Sequence, residues 1–113
     1  MVKYKVVLVP FPFDDFSAIK VRPAVCLTNE IGDHDHIVIA FISSKIPGKL
    51  LTTDILLTRR EKEFIKAGLK EDSVIRIHKL VTIPKNLIRR ELGIIEGSIK
   101  SAIHERIKKL FGF

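Results

Sequence analysis

The sequence lacks several features that mark secreted proteins, membrane proteins and common enzyme classes. Its single cysteine, Cys26, excludes an internal disulfide. No apolar run approaches the roughly 18 residues that a membrane-spanning helix needs. The first residues show no apolar core of a signal peptide. We therefore expect a soluble, cytoplasmic protein with no membrane partner.

Several catalytic motifs are also missing. There is no Gly-x-Ser-x-Gly elbow, and Gly48 is alone in its segment, which excludes a glycine-rich phosphate loop. Cys26 lies inside the apolar run 24–27, which favours a core residue over a nucleophile. Residues 33–36, Asp-His-Asp-His, form the one dense group of metal-ligand types. No second segment offers further ligands, so this pattern favours a solvated turn over a zinc site.

The composition is that of a folded, basic protein. Of 113 residues, 46% are hydrophobic and 29% are charged, which predicts one globular domain over residues 1–113. Twenty Lys and Arg against thirteen Asp and Glu give a net charge of +7. This excess favours a polyanionic partner such as RNA or DNA.

Short apolar runs between Pro, Gly and polar residues predict a mainly-β fold. The predicted strands cover residues 5–9, 23–28, 37–42, 53–57, 73–80 and 92–95. A short helix is expected over residues 58–66, ending at Gly68, and a terminal amphipathic helix begins at Ser98 as N-cap. Its apolar stripe includes Ile99, Ile103 and Phe111. Together these elements predict a small, partly closed antiparallel barrel with two helices.

The segment between the first two strands holds the principal candidate residue. Arg22 precedes Pro23, which restricts it to extended geometry at the entrance of the second strand. We predict that Arg22 clamps a phosphate, because the planar guanidinium fork matches phosphate oxygens. Pairing of Arg22 with Asp14 or Asp15 is the ordinary alternative. The nearby phenylalanines, at positions 11, 13 and 16, are expected to cover one end of the core rather than to stack on bases.

Two further segments carry groups that suit a phosphate. Ser43 and Ser44 end the third strand, and a serine hydroxyl is a hydrogen-bond donor. Arg76 and His78 are two residues apart on a later strand, so both are expected to point to the same face. Histidine is the only side chain of this set that gains or loses a proton near neutral pH. The alternatives remain a simple strand end for the serines and outward-facing side chains for Arg76 and His78.

The order and spacing of these pieces resemble the MazF/PemK/Kid family of toxins. The matching pieces are residues 11–15, 20–25, 37–44, 73–76 and 92–93, followed by the terminal helix. The resemblance implies an SH3-like barrel of the CcdB/PemK type and a homodimer. It also implies sequence-selective cleavage of single-stranded mRNA without a metal or other cofactor, and a cognate antitoxin that covers the RNA groove.

The resemblance also implies roles for individual residues. The loop arginine of the family corresponds to Arg22, the strand-end Thr or Ser to Ser43, and the later-strand arginine to Arg76. His78 stands where relatives often have Asp. We expect Arg22 to clamp charge, Ser43 to donate a hydrogen bond, and His78 to act as acid or base. The residues expected to bind RNA are Lys20, Ser44, Lys45, Arg76 and Lys79.

Two other functions fit the same fold. The chain could act like CcdB, as a toxin that binds a protein target such as gyrase and leaves RNA uncut. It could instead bind nucleic acid without cleaving it. The first alternative would not need Arg22, and the second predicts salt-sensitive binding of both RNA and DNA without product.

Overall fold

Six antiparallel strands form one curled sheet in a computed structural model that describes residues 1–10 and 20–113. The strands are β1 (Lys5–Pro10), β2 (Val21–Cys26), β3 (His36–Ser43), β4 (Asp54–Leu57), β5 (Ser73–Pro84) and β6 (Arg90–Ile94). Their order across the sheet is β4-β5-β3-β2-β1-β6, which leaves β4 and β6 at the edges. The mainly-β fold predicted from the sequence, a partly closed antiparallel barrel with two helices, is confirmed, and the sheet curls into a half-barrel. The single domain over residues 1–113 stays a prediction.

The middle helix is shorter than predicted. Helix α1 covers only Phe64–Ala67, because the preceding residues form a turn closed by a side chain. Both the backbone N–H and the hydroxyl of Thr58 donate to Glu61 Oε2, at 2.7 and 2.6 Å. Gly68 ends the helix in the left-handed conformation, with φ of 74°, as its position after the helical pattern predicts.

The terminal helix α2 (Gly97–Phe111) begins differently from the prediction. Glu96 is the N-cap, so the prediction of Ser98 was wrong. The N–H and hydroxyl of Ser98 instead donate to Oε2 of Glu63, at 3.3 and 3.1 Å. A carboxylate distant in sequence thus binds an N–H of the first turn. Phe111 is also off the buried stripe, since it is 57% exposed.

The two faces of the sheet carry separate apolar clusters. We call the first the helix face, because Ile42 and Ile75 pack there in one cluster with Ile103 of α2. The second, which we call the opposite face, carries Ala24 and Phe41. Adjacent residues of one strand point to different faces, so each strand contributes to both clusters.

The strand boundaries correct two expectations. β2 begins at Val21 rather than at residue 23, so Arg22 lies within the strand and not in the loop before it. This fits the extended geometry that Pro23 imposes on the residue before it. β5 continues beyond residue 80 to Pro84. The predictions for the phenylalanines and aspartates of residues 11–16 fall outside the described residues.

A contact between two backbones joins α1 to β6. A Cβ on Gly93 would lie 2.1 Å from the carbonyl oxygen of Lys66, and one on Gly68 would lie 2.0 Å from that of Leu92. Both distances are far below van der Waals contact, so neither position can hold a side chain without displacing the chain opposite. The two glycines therefore fix how closely α1 approaches the sheet.

Candidate functional site

A cleft lies where β2 and β3 stop pairing. β2 pairs with β1 from Val21 onward, but its pairing with β3 ends at Ala24, opposite Phe41. Pro23 has no N–H with which to extend that ladder. Two residues beyond the last pair, on the same face, the strands carry Arg22 and Ser43. The end of one ladder thus places the two predicted residues on either side of an opening.

Apolar and cationic side chains share the lining of this cleft. Its volume is about 380 Å³, within the range of roughly 300–1,000 Å³ typical of ligand sites. Leu8, Pro23, Phe41, Leu69 and Leu92 are among the apolar lining residues. Among the described residues, one carboxylate, that of Glu71, stands in the lining against six cations. The cations are Arg22, Lys45, Lys70, Arg76, Lys79 and Arg90.

Arg22 enters the cleft from β2. It is half-buried and lies opposite Val9 of β1. Since it alternates with Pro23 along the strand, its side chain shares the face of Ala24 and Phe41. A strand paired on one side holds this arginine more firmly than the predicted loop would.

Arg76 enters from β5, between two strands. Its neighbours across the sheet are Phe41 of β3 and Asp54 of β4. The guanidinium Nε of Arg76 lies 2.9 Å from Oδ1 of Asp54, whose side chain is 0% exposed. The contact is ionic rather than an aligned hydrogen bond. The second oxygen of Asp54 accepts the backbone N–H of Leu51 at 2.8 Å.

Ser43 closes a small turn at the end of β3. Its Oγ accepts the backbone N–H of Lys45 at 3.1 Å and donates to the carbonyl oxygen of Lys45 at 3.4 Å. The second contact is long, so the hydroxyl proton is weakly held. The turn thus fixes the oxygen while leaving its hydrogen able to turn to an anion in the cleft.

His78 lies in an irregular part of β5. Arg76 pairs with Phe41 and Leu80 pairs with Ala40, so residues 77–79 have no partner on β3. His78 is exposed there, yet its partial burial lowers its pKa below the ordinary 6.5. The guanidinium of Arg76 lowers this pKa further, and the carboxylate of Asp54 partly opposes the shift. Burial and the guanidinium of Arg76 both favour the neutral form of the ring.

The cleft brings together most, but not all, of the predicted site residues. Those in its lining are Arg22, Ser43, Ser44, Lys45, Arg76 and Lys79. Within the described chain, neither Lys20 nor His78 is part of that lining. His78 instead stands beside it, next to Lys79. The catalytic and RNA-binding roles of all these residues stay predictions.

Sequence reasoning missed Asp54 and three charged residues of the lining. In the sequence, Asp54 is one polar residue near the start of the predicted strand 53–57, and no motif marks it. Its role depends on which residue of β5 faces it, which the sequence does not state. Lys70, Glu71 and Arg90 fall in connections or at an edge, where charged residues are ordinary. No local signal distinguishes them.

The other sites considered in the sequence are a metal site and a cysteine nucleophile. Across residues 1–10 and 20–113, no three His, Cys, Asp or Glu side chains converge as metal ligands. His34 lies in an exposed turn and His36 is the exposed first residue of β3, with ring centres 5.9 Å apart. Cys26 is buried, and burial raises its pKa to about 11, so it is a poor nucleophile. That cleavage needs no metal stays a prediction.

In the part of the chain that the structure describes, no helix has the length and apolar character needed to cross a bilayer.

Comparison with known proteins identifies a family. The family model of PemK-like, MazF-like toxins of type II toxin–antitoxin systems matches residues 3–111. That match spans nearly the whole chain and includes every strand and both helices. A search of curated proteins finds no significant match.

Solved structures share the fold at low sequence identity. A Mycobacterium tuberculosis toxin, MazF-mt6, has a TM-score of 0.73 at 22% identity, covering 96% of this chain and 97% of that one. A mycobacterial endoribonuclease in complex with its cognate antitoxin has a TM-score of 0.73 at 10% identity, covering 100% and 96%. Another mycobacterial endoribonuclease gives 0.71 at 11%, covering 100% and 92%. These likenesses establish the fold, and the site must be argued from its own residues.

Proposed function

Because the chain belongs to the PemK-like, MazF-like toxins of type II toxin–antitoxin systems, we propose that it is an endoribonuclease that cleaves single-stranded mRNA at selected sequences. Two proteins of similar fold are described as endoribonucleases, one of them bound to its antitoxin, which supports the proposal. By the same argument, a cognate antitoxin covers the cleft, two chains form a homodimer, and the toxin acts on transcripts in the cytoplasm.

The observation that carries this proposal is the convergence of Arg22, Ser43 and Arg76 on one cleft. Two guanidinium groups and a hydroxyl can together hold the oxygens of one phosphodiester. The surrounding lysines favour the phosphates on either side, and the apolar lining suits the faces of unstacked bases. A double helix does not offer its bases in this way, so single strands are the fitting substrate.

The proposed chemistry is attack by a ribose 2′-oxygen on the adjacent phosphorus. The bond from the 2′-oxygen to phosphorus forms, the bond from phosphorus to the 5′-oxygen breaks, and the products carry a 2′,3′-cyclic phosphate and a 5′-hydroxyl. A base removes the 2′ proton, and an acid supplies a proton to the departing 5′-oxygen. Negative charge grows on the phosphoryl oxygens during the attack.

Each residue has one role in this scheme. Arg22 and Arg76 stabilise the growing charge, since arginine stays protonated and is a poor proton carrier. Ser43 donates a hydrogen bond to a phosphoryl oxygen. His78 is the acid or base of the set, and its lowered pKa suits a base that must be neutral. This last role requires the 2′-hydroxyl to lie at the Lys79 side of the cleft, where His78 stands.

The test is incubation of purified protein with a long single-stranded RNA in EDTA. We expect discrete fragments that end in a cyclic phosphate, and an Arg22→Ala variant about 10²–10³-fold slower, the usual loss for one preorganised donor. Arg60→Ala is the matched control, because Arg60 is exposed in the turn before α1 and outside the cleft lining. Its activity should equal that of the parent.

Three outcomes would contradict the proposal. Uncut RNA would favour the toxin that binds a protein target. Salt-sensitive binding of both RNA and DNA without product would favour a simple nucleic-acid-binding barrel. If the Arg22→Ala variant cleaved RNA at the parental rate, the proposed role of the cleft in the mechanism would be wrong. A light-scattering mass near that of one 12.8 kDa chain would separately remove the homodimer.

A further inference from the structure

We propose that Asp54 is a positioning residue that fixes the guanidinium of Arg76 in the cleft. The inference rests on the proposed function, in which Arg76 binds the reacting phosphate. Asp54 is not itself in the cleft lining, and it acts through the arginine that is. The resemblance that assigns Arg76 assigns nothing to Asp54.

The pairing of β4 with β5 brings the two side chains together. Asp54 and Arg76 are direct partners in this antiparallel ladder, so their side chains leave the sheet on the same face. Oδ1 of Asp54 meets Nε of Arg76 at 2.9 Å. Among the described residues, that ion pair uses only Nε and leaves the two terminal nitrogens of the fork for an anion. A carboxylate at Nε therefore orients the fork without occupying it.

Asp54 is itself held at two points. The backbone N–H of Leu51 donates to Oδ2 at 2.8 Å, which fixes the plane of the carboxylate. The backbone carbonyl of Asp54 accepts Nε of Arg106, from α2, at 3.3 Å. Arg76 thus contacts a carboxylate that is anchored to the loop before β4 and, through the main chain, to the terminal helix.

Burial makes it costly to remove either charge of the pair. The side chain of Asp54 is 0% exposed and that of Arg76 is 18% exposed. A charge in such a place is costly unless a partner of opposite sign stands beside it. Asn at position 54 keeps the shape and can still accept the N–H of Leu51. Its amide would then face Nε of Arg76 with a second donor, so the guanidinium should turn away.

The alternative is that Asp54 only closes the turn at Leu51. The two roles separate in a double-mutant cycle. If Asp54 acts through Arg76, Asp54→Asn should slow cleavage about 10²-fold in the parent, the usual scale for a misplaced catalytic contact. It should have little further effect in the Arg76→Ala background. If Asp54 only supports the fold, the two losses should multiply.

The loss should also fall mainly on kcat rather than KM, because a misaligned guanidinium still attracts RNA by its charge. Asp54→Glu keeps the carboxylate and should restore part of the activity. Asp33→Asn is the matched control, since Asp33 is an exposed carboxylate in the turn before β3. It should cleave like the parent. Thermal unfolding of each variant separates a misfolded protein from a misaligned one.

A second measurement does not depend on catalysis. In nitrogen-15 NMR, the Nε–H of Arg76, which is buried against the carboxylate of Asp54, should exchange slowly with solvent in the parent and in Asp33→Asn, and rapidly in folded Asp54→Asn. Unchanged exchange in Asp54→Asn, or multiplying losses in the cycle, would overturn the inference. A parent that folds with the slow Nε–H but cuts no RNA would overturn the proposed function and leave the positioning contact intact.

Discussion

The helix face and the opposite face of the sheet are made by the same strands, but the first packs against α2 and the second carries residues of the cleft. On β5, Ile75 packs in the helix-face cluster while the next residue, Arg76, lines the cleft. On β3, Ile42 packs in the helix-face cluster and the next residue, Ser43, lines the cleft, although Ile42 also borders the cleft. A shift of one residue in either strand would exchange core and site. The packing of the helix face therefore sets the register of the residues on the opposite face.

The largest expected effect tests the helix face. Ile103 of α2 is fully buried in its cluster, so Ile103→Ala should lower the free energy of unfolding by about 2–5 kcal/mol. Urea titration measures the loss. The matched control is Ile65→Ala, because Ile65 is 85% exposed and should change stability by less than about 0.5 kcal/mol. Equal losses in both variants would contradict the assignment of the core.

The next effect tests the irregular segment of β5 beside the cleft. If His78 is the base, His78→Ala should lose about 10²–10⁴ in rate. The lowered pKa of His78 means that the neutral, active form persists below pH 6.5. The acidic limb of the parental pH–rate profile should therefore have its midpoint below 6.5 and should vanish in the variant. A limb that keeps its midpoint in His78→Ala would show that another group titrates.

A third prediction concerns the end of β3, where Ser43 lines the cleft. Ser43→Ala removes a proposed phosphate donor and should slow cleavage about 10²–10³-fold. Ser43→Thr keeps the hydroxyl and should stay near the parental rate. Because Ser43 lies outside both apolar clusters, neither variant should shift the unfolding midpoint as Ile103→Ala does. A slow Ser43→Thr variant would attribute the loss to the turn at Lys45 rather than to the hydroxyl.

The smallest effect is expected at the rim of the cleft. Lys79→Ala removes one cation from the lining and should weaken RNA binding for every sequence alike. For a single strand, the slope of log affinity against log salt should fall in magnitude by about 0.7. Fluorescence anisotropy over a salt series measures this. Lys62, which is exposed near α1, supplies the control, since Lys62→Ala should leave the slope unchanged.

The sequence predicted the features that depend on neighbours in the chain. Apolar, β-branched runs predicted the strands, and Gly68 predicted the end of α1. The sequence also places Arg22 before Pro23 and Ser43 at a strand end. The cleft forms between these two points. These features follow from local backbone geometry, so a single sequence was sufficient to predict them.

The features that it missed depend on distant partners. Ser98 lies inside the first turn of α2, and Glu63, far back in the chain, accepts its N–H. His78 stands beside the cleft rather than in its lining with Arg76, because residues 77–79 lack partners on β3. Asp54 matters through the residue that faces it across β4 and β5. Pairing of this kind is settled by the packing of the whole sheet, and no spacing along the chain records it.

The contact of Gly68 with Gly93 has a consequence for the shape of the cleft. Gly68 and Leu69, which follow α1, face Leu92 of β6 across the lining. A side chain at residue 93 would push α1 outward and move that wall with it. The width of the cleft on this side is thus set by two hydrogens in place of two side chains. A larger residue at either glycine would therefore change the shape of the cleft without touching any of its cations.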